Sequence, residues 1–243
     1  MTLIYKPKGR AGEYAALACN VYSGCDHGCV YCYAPSVTFK ERRDFVISKQ
    51  RTNFVQQLNL EAKNWTDPKE QVLLCFTCDP YQHLDQKLEL TRQAILTLKA
   101  HGFPFCVLTK GGSRALRDID LYGPRDAFAT TLTFLDDERS LLWEPQAALP
   151  TDRISTIHTF YSKGITTWVS LEPVLDPEAS LEIIRQTHTF VDLYKVGRLN
   201  YHPLAQTINW YQFAHDAVSL LDSLGKKMYV KKDLAVYLSK TAA

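Results

Sequence analysis

The chain has 243 residues, with 28 Lys and Arg against 26 Asp and Glu, and is 46 % apolar and 22 % charged. That balance excludes disorder, collagen and coiled coil, and a chain of this length buries a full core without staples. No apolar run approaches the ~20 residues of a membrane span, and a net charge of +2 gives no argument for nucleic acid from composition. Met1 to Arg10 contains no apolar stretch before a small-residue cleavage site, so the expectation is a cytoplasmic protein.

Short β-branched or aromatic runs begin near Ala18 (ACNVYSG), Gln71 (QVLLCFTC), Pro104 (PFCVLTK), Ala127 (AFATTLTF), Ile165 (ITTWVSL) and Val191 (VDLYKVG). Helical patterns fill the gaps. One runs from Thr52 to Asn64. Another carries Leu90, Ala94, Ile95 and Leu98 and is closed by Gly102 and Pro104. A shorter helix or irregular segment lies between Gly111 and Tyr122. Ile154, Ile157 and Phe160 make a face ended by Gly164, and Asp176-Pro177 caps a helix through Leu181 and Ile184. Phe213, Ala217, Leu220, Leu221 and Leu224 form the last strong helix, ended by Gly225. Six strand-then-helix units imply a parallel sheet in an α/β fold, either doubly wound or an incomplete barrel. In both, ligands gather at the C-terminal ends of the strands. The chain divides as an N-terminal segment, 1–15, a core, 16–208, and a C-terminal helix with a basic closing segment, 209–243.

Seven cysteines, at 19, 25, 29, 32, 75, 78 and 106, all fall in the first half. An odd number with no leader argues against a disulfide framework and for metal or redox chemistry. Cys25, Cys29 and Cys32 follow the first strand with spacing Cys-x3-Cys-x2-Cys, and Gly24 and Gly28 supply the backbone angles a tight wrap needs. Thiolate-rich sites select zinc, copper(I) or iron–sulfur clusters. Three ligands leave one metal position open, as in a reactive centre. Two other readings use the same residues. Cys29-x2-Cys32 with Cys75-x2-Cys78 makes a zinc-binding interaction module, but this leaves Cys25 unexplained and puts Cys75 and Cys78 on opposite faces of a strand. An iron–sulfur electron carrier is the other. A thioredoxin-like dithiol at Cys29 and Cys32 is interrupted by Pro35. Cys19 and Cys106 read as small buried hydrophobes, and His27 reads as a spacer in the loop.

The three-cysteine motif resembles the signature of the radical S-adenosylmethionine enzymes, and the order of strands and helices is similar over most of the chain. The resemblance implies a single-domain partial (β/α)6 barrel with a [4Fe–4S] cluster on Cys25, Cys29 and Cys32. S-adenosyl-L-methionine would be cleaved by one electron to a 5′-deoxyadenosyl radical that abstracts hydrogen from a substrate. It also implies an external electron donor of flavodoxin or ferredoxin type. Tyr31 matches the aromatic position packed against adenine. Thr77, Cys78 and Asp79 stand where many members carry Gly-Gly-Glu, and would offer carbonyls and a carboxylate to the methionine ammonium. Asp79-Pro80 also reads as a turn opening a helix.

The Thr-Cys-Asp-Pro-Tyr-Gln and Tyr-Cys-Tyr-Ala-Pro runs resemble the spore photoproduct lyase branch, which points toward a nucleotide or nucleic-acid lesion as substrate and lyase-like chemistry. Lys110 is similar to the lysine that binds the cofactor carboxylate there. Thr131 and Ser170 are candidate ribose and methionine contacts. The branch's hydrogen-donor cysteine aligns with Phe76, so Cys75 and Cys78 beside it are the candidate donors. Arg153 and Arg198 are candidates for an anion through their guanidinium forks, with surface solvation the competing reading for Arg153. Lys226 to Lys232 reads either as a lysine-rich edge strand or as a basic contact to a phosphate-bearing substrate.

Overall fold

The computed structural model describes residues 2–239. Seven parallel strands form one open sheet: β1 (Leu17–Ala18), β4 (Val72–Leu74), β5 (Phe105–Thr109), β6 (Ala127–Thr131), β7 (Thr166–Leu171), β8 (Leu193–Val196) and β9 (Lys227–Val230), in that spatial order. A two-stranded antiparallel hairpin of β2 (Tyr22–Ser23) and β3 (Lys49–Gln50) stands apart. The sheet is a half-barrel, as the partial-barrel expectation required. Six strands were expected and seven are found. The seventh, β9, pairs in parallel with β8 at the sheet edge, in the stretch where a lysine-rich edge strand was one expectation.

Helices α3 (Phe54–Lys63), α5 (Leu90–Ala100), α7 (Pro150–Ser162), α8 (Pro177–Thr187) and α9 (Trp210–Ser223) lie at the periodicities expected of them. The α8 cap is built as its sequence suggests: the Asp176 side chain accepts the Ala179 N–H at 3.2 Å and Pro177 takes the first turn. The Gly111 to Tyr122 segment is a 3-10 helix, Gly112–Leu121. Four short helices escaped the sequence reading: α1 (Ala34–Val37), α2 (Arg42–Phe45), α4 (His83–Leu88) and α6 (Asp137–Trp143). A small α10 (Lys232–Ala235) follows β9. Among the described residues no helix is long and apolar enough to cross a membrane.

Alternation along the strands divides the core in two. Helix-facing positions such as Phe105, Val107, Phe128, Val169, Leu171, Tyr194 and Val196 join the large core. Lumen-facing positions carry Ala18, Leu73, Cys106, Ala127, Ala129 and Trp168, with Tyr5 and Tyr14 of the N-terminal segment packed onto them. Thr131 and Ser170 are two residues beyond Ala129 and Trp168, so they share the lumen face, and β6–β7 register sets them side by side. A cavity of about 340 Å³, lined by Ala15 and Ala16 before β1, Glu70 and Gln71 before β4, and Cys106, Trp168 and Lys195, opens at the N-terminal end of the strands, away from the rim.

Candidate active site at the strand C-termini

The loop bearing Cys25, Cys29 and Cys32 leaves β2 and is held by its own return through β3. Cys25 donates its N–H to Phe45 O at 3.0 Å. Gly24, with φ +88°, has room for no side chain, since a Cβ there would meet Phe45 O at 2.6 Å. Arg42 of α2 donates to Cys29 O at 2.7 Å and to Cys32 O at 3.3 Å. On the far side, Val30 N–H meets Trp143 O at 2.8 Å and Gln146 N–H meets His27 O at 3.1 Å. The loop is thus pinned from both flanks.

All three thiols are free, Cys29 buried and the other two half-buried. Burial pushes the Cys25 thiol well above its ordinary value, with Asp79 and Cys29 adding to it, and pushes Cys29 up to about 12. Such thiols give up their protons to a bound soft metal centre. Three soft donors on eight residues with glycine at the tight bend fit an iron–sulfur cluster, which Cys25, Cys29 and Cys32 would hold as thiolates. Among the described residues no three His, Cys, Asp or Glu groups converge to hold a single ion.

His27 is more than the spacer expected. It is buried, and Arg114 donates to its Nε2 at 3.0 Å. Arginine only donates, so Nε2 accepts and Nδ1 carries the proton that faces Asp79 Oδ2 at 3.5 Å. Burial, reinforced by Arg114, lowers the imidazole to about 4, against the pull of Asp79. The ring is therefore neutral and ties the cysteine loop to the end of β4.

Asp79 supplies the turn expected at Asp79-Pro80, accepting the Tyr81 N–H at 2.9 Å. Its carboxylate also accepts from Thr109 Oγ1 at 2.6 Å and from the Lys110 N–H at 2.7 Å. Burial opposes its charge, but His27 and these donors hold it below the usual carboxylate range. Asp79 thus brackets the ends of β4 and β5 to the cysteine loop. Beside it, Asn20 Oδ1 accepts the N–H groups of Phe76 and Thr77 at 2.8 and 2.9 Å, fixing that segment.

The opposite-face placement of Cys75 and Cys78 is corrected. The strand ends at Leu74, and both cysteines lie in the loop beyond it. Val21 N–H donates to Cys75 Sγ at 3.5 Å and Tyr22 N–H to Cys78 Sγ at 3.4 Å.

Lys110 ends β5 on the rim, its ammonium 5.5 Å from the centre of the Tyr31 ring. Burial opposes its charge, but Cys29 and Glu144 beside it keep the ammonium protonated. Tyr31 donates its hydroxyl to Glu144. Glu144 in turn pairs with Arg153 at 2.6 Å, both side chains fully buried. Arg153 also donates to Ala148 O at 2.6 Å and Thr131 O at 3.1 Å. Neither reading of Arg153 holds in its first form: it is not solvated, and its fork is spent on Glu144 and backbone. Arg198 turns away, donating to Tyr237 Oη at 3.0 Å with its guanidinium over Trp210. Ser170 Oγ meets Tyr14 Oη at 2.8 Å, and Tyr14 donates to Glu172 at 2.6 Å, which pairs with Lys231 at 2.7 Å. Cys19 and Cys106 are buried in the core as expected.

Sequence reasoning missed His27, Arg114, Glu144, Tyr14 and Glu172. Only Glu144 left a trace, as a lone acid between Leu141-Leu142-Trp143 and Pro145.

A half-barrel with three free thiols on a pinned loop at its C-terminal rim defines an iron–sulfur enzyme scaffold. The radical SAM superfamily model matches residues 19–191, and the chain belongs to that family. The family uses a [4Fe–4S] cluster and S-adenosylmethionine. An uncharacterised protein of Methanocaldococcus jannaschii is 24 % identical over 189 residues, covering 74 % of this chain and 69 % of that protein. An uncharacterised protein of Mycobacterium tuberculosis is 30 % identical over 168 residues, 64 % of this chain and 48 % of that one, so the match spans about half of this relative. Among solved structures, spore photoproduct lyase superposes with TM-score 0.71 at 11 % identity, covering 93 % of this chain and 78 % of that one. SuiB of Streptococcus suis bound to S-adenosylmethionine superposes with TM-score 0.65 at 10 % identity, covering 93 % and 52 %. At these identities the structures share the fold.

Proposed function

We propose that Cys25, Cys29 and Cys32 hold the [4Fe–4S] cluster and that the rim of the half-barrel binds S-adenosylmethionine above a nucleotide or nucleic-acid substrate in the lumen. The observation that carries this reading is the convergence of the cysteine loop, the Thr77–Asp79 segment and Lys110 on one rim through the His27–Asp79 bracket. When bound, the cluster supplies the electron that splits the cofactor into methionine and a 5′-deoxyadenosyl radical.

The chain's own residues do the positioning. Carbonyls of Thr77 and Cys78, on the segment Asn20 orients, hold the methionine ammonium. Asp79, its oxygens already engaged within the chain, keeps that segment in register and does not bind the ammonium itself. Lys110 holds the cofactor carboxylate. Tyr31, anchored through Glu144 and Arg153, packs against adenine. Thr131 and Ser170 face the ribose and methionine from neighbouring strands. Cys78 and Cys75, in the loop beyond β4, are the candidate donors of hydrogen to the product radical. A nucleotide-type substrate is supported by the motif resemblance to the spore photoproduct lyase branch, and one solved lyase structure holds S-adenosylmethionine with a dinucleoside.

Anaerobic reconstitution with iron and sulfide should load the cluster, and dithionite with S-adenosylmethionine should then yield 5′-deoxyadenosine. Cys25→Ala should abolish iron binding. Iron-replete wild-type protein that produces none of that product removes the reading, and metal retained by Cys25→Ala would favour the zinc module.

A further inference from the structure

The segment that returns from the cysteine loop carries a surface that the reading above does not use. Phe39 is 97 % exposed, and Val37 and Ile47 are 54 % and 55 % exposed. Phe39 also holds a left-handed backbone, φ +54°, which bulky residues seldom adopt. Scattered apolar residues on a surface are ordinary, but these three fall within the one segment that Phe45 O and Arg42 tie to the cysteine loop. Charge accompanies them. Residues 37–51 contain five Lys and Arg (Lys40, Arg42, Arg43, Lys49 and Arg51) against two acids, Glu41 and Asp44. The rest of the chain carries 23 Lys and Arg against 24 Asp and Glu, so the positive balance of the whole molecule resides here. Arg42 and Lys40 are occupied, donating to Cys29 O, Cys32 O and Ser23 Oγ. Arg43 and Lys49 are exposed and form no ion pair among the described residues. The same excursion that presents the patch therefore grips the backbone of two of the three loop cysteines.

We infer that this patch docks an acidic, low-potential one-electron carrier protein, with Phe39, Val37 and Ile47 as its apolar centre and Arg43 and Lys49 on its charged rim. The inference rests on the cluster-bearing reading above. An apolar centre ringed by charge is the general form of a transient interface, and opposite charge accelerates encounter. The transfer is balanced: the carrier loses one electron, the bound cluster gains one, and no covalent bond or proton moves. Of the two macromolecules that a basic patch with an exposed aromatic could meet, the carrier is favoured. Arg42, within the patch, donates to the carbonyls of Cys29 and Cys32, so a partner seated here lies against the cysteine loop.

The test uses cluster-loaded wild type, Phe39→Ser and the double variant Arg43→Glu/Lys49→Glu, with reduced flavodoxin as the probe. Two quantities are read: the Kd of labelled flavodoxin, and the rate of cluster bleaching by flavodoxin against that by dithionite. Tenfold or greater weakening of Kd, with a matching loss of rate for flavodoxin only, supports the patch. Added salt should weaken wild-type binding and flatten in the charge-reversed variant. Both variants reduced by flavodoxin at the wild-type rate overturn the inference. So does loss of binding to a short single-stranded oligonucleotide with flavodoxin reduction intact, which would assign the patch to nucleic acid. A wild-type chain that loads no cluster removes the underlying reading, a failure visible before any carrier is added.

Discussion

Along β6 the side chains alternate between Phe128, which stacks on Phe160 of α7 at 3.8 Å between centroids, and Ala127 and Ala129, which leave space on the other side. The same contrast runs across the sheet. Helix-facing positions are filled with Phe, Val, Leu and Tyr. Lumen-facing ones mix small residues, Ala, Cys, Thr and Ser, with Leu73, Trp168 and a lysine, Lys195. The helix face is closed by volume, at the close packing of protein interiors. The lumen face keeps room, and part of its filling comes from outside the sheet. Tyr14 lies against Ser170, Glu172 and Trp168, and Lys195 donates to Tyr14 O at 2.6 Å. Burial lowers the ordinary pKa of Lys195, and no carboxylate pairs with it among the described residues.

The largest expected effect falls on the packed face. Phe128→Ala removes a buried ring and its stacked partner's contact, and should cost about 3–5 kcal/mol. Urea unfolding measures the loss, and 5′-deoxyadenosine formed per folded molecule should stay close to wild type. A variant that keeps its stability but loses turnover would break the division between the faces.

The rim that joins the faces should respond to acid. A histidine in the unfolded chain takes its proton near pH 6.5, whereas His27 in the folded chain resists until about 4. Between those values the unfolded chain binds the extra proton, so stability is complete above pH 6.5 and falls as pH drops through the window. The full difference is about 3 kcal/mol. Urea midpoints of the cluster-free chain at pH 7.5 and 4.5 should show it, and His27→Gln should flatten the slope. An unchanged slope would mean that His27 is accessible and charged in the folded protein.

What the sequence made legible was local. The Cys-x3-Cys-x2-Cys wrap is set by spacing within eight residues. The α8 cap is set by two adjacent residues, and the strand order follows from alternating strand and helix periods. The contacts that organise the rim are remote: Tyr31 to Glu144 spans 113 positions and Tyr14 to Ser170 spans 156. No periodicity encodes such pairs. His27 looked like a spacer because its partners, Asp79 and Arg114, arrive from other strand ends. Cys75 and Cys78 were misplaced because β4 stops at Leu74, and a three-residue strand gives too little alternation to mark its end. The β2–β3 hairpin, two residues a side, lies below what a period of two can reveal.

The smallest expected effect sharpens the comparison most, because it asks whether the lumen face is functional where it is best packed. Ser170 is buried, and its hydroxyl meets Tyr14 Oη at 2.8 Å. In Ser170→Ala, Tyr14 keeps Glu172 as acceptor, so the stability loss should be about 1 kcal/mol or less. If Ser170 also contacts the cofactor, the same substitution should raise the KM for S-adenosylmethionine by roughly threefold to tenfold, the weight of one hydrogen bond. Denaturation and steady-state kinetics on one preparation separate the two quantities. A loss as large as that of Phe128→Ala would place Ser170 with the packing residues. An unchanged KM would take it out of the cofactor site and leave Thr131, its neighbour across the β6–β7 ladder, as the lumen hydroxyl to test.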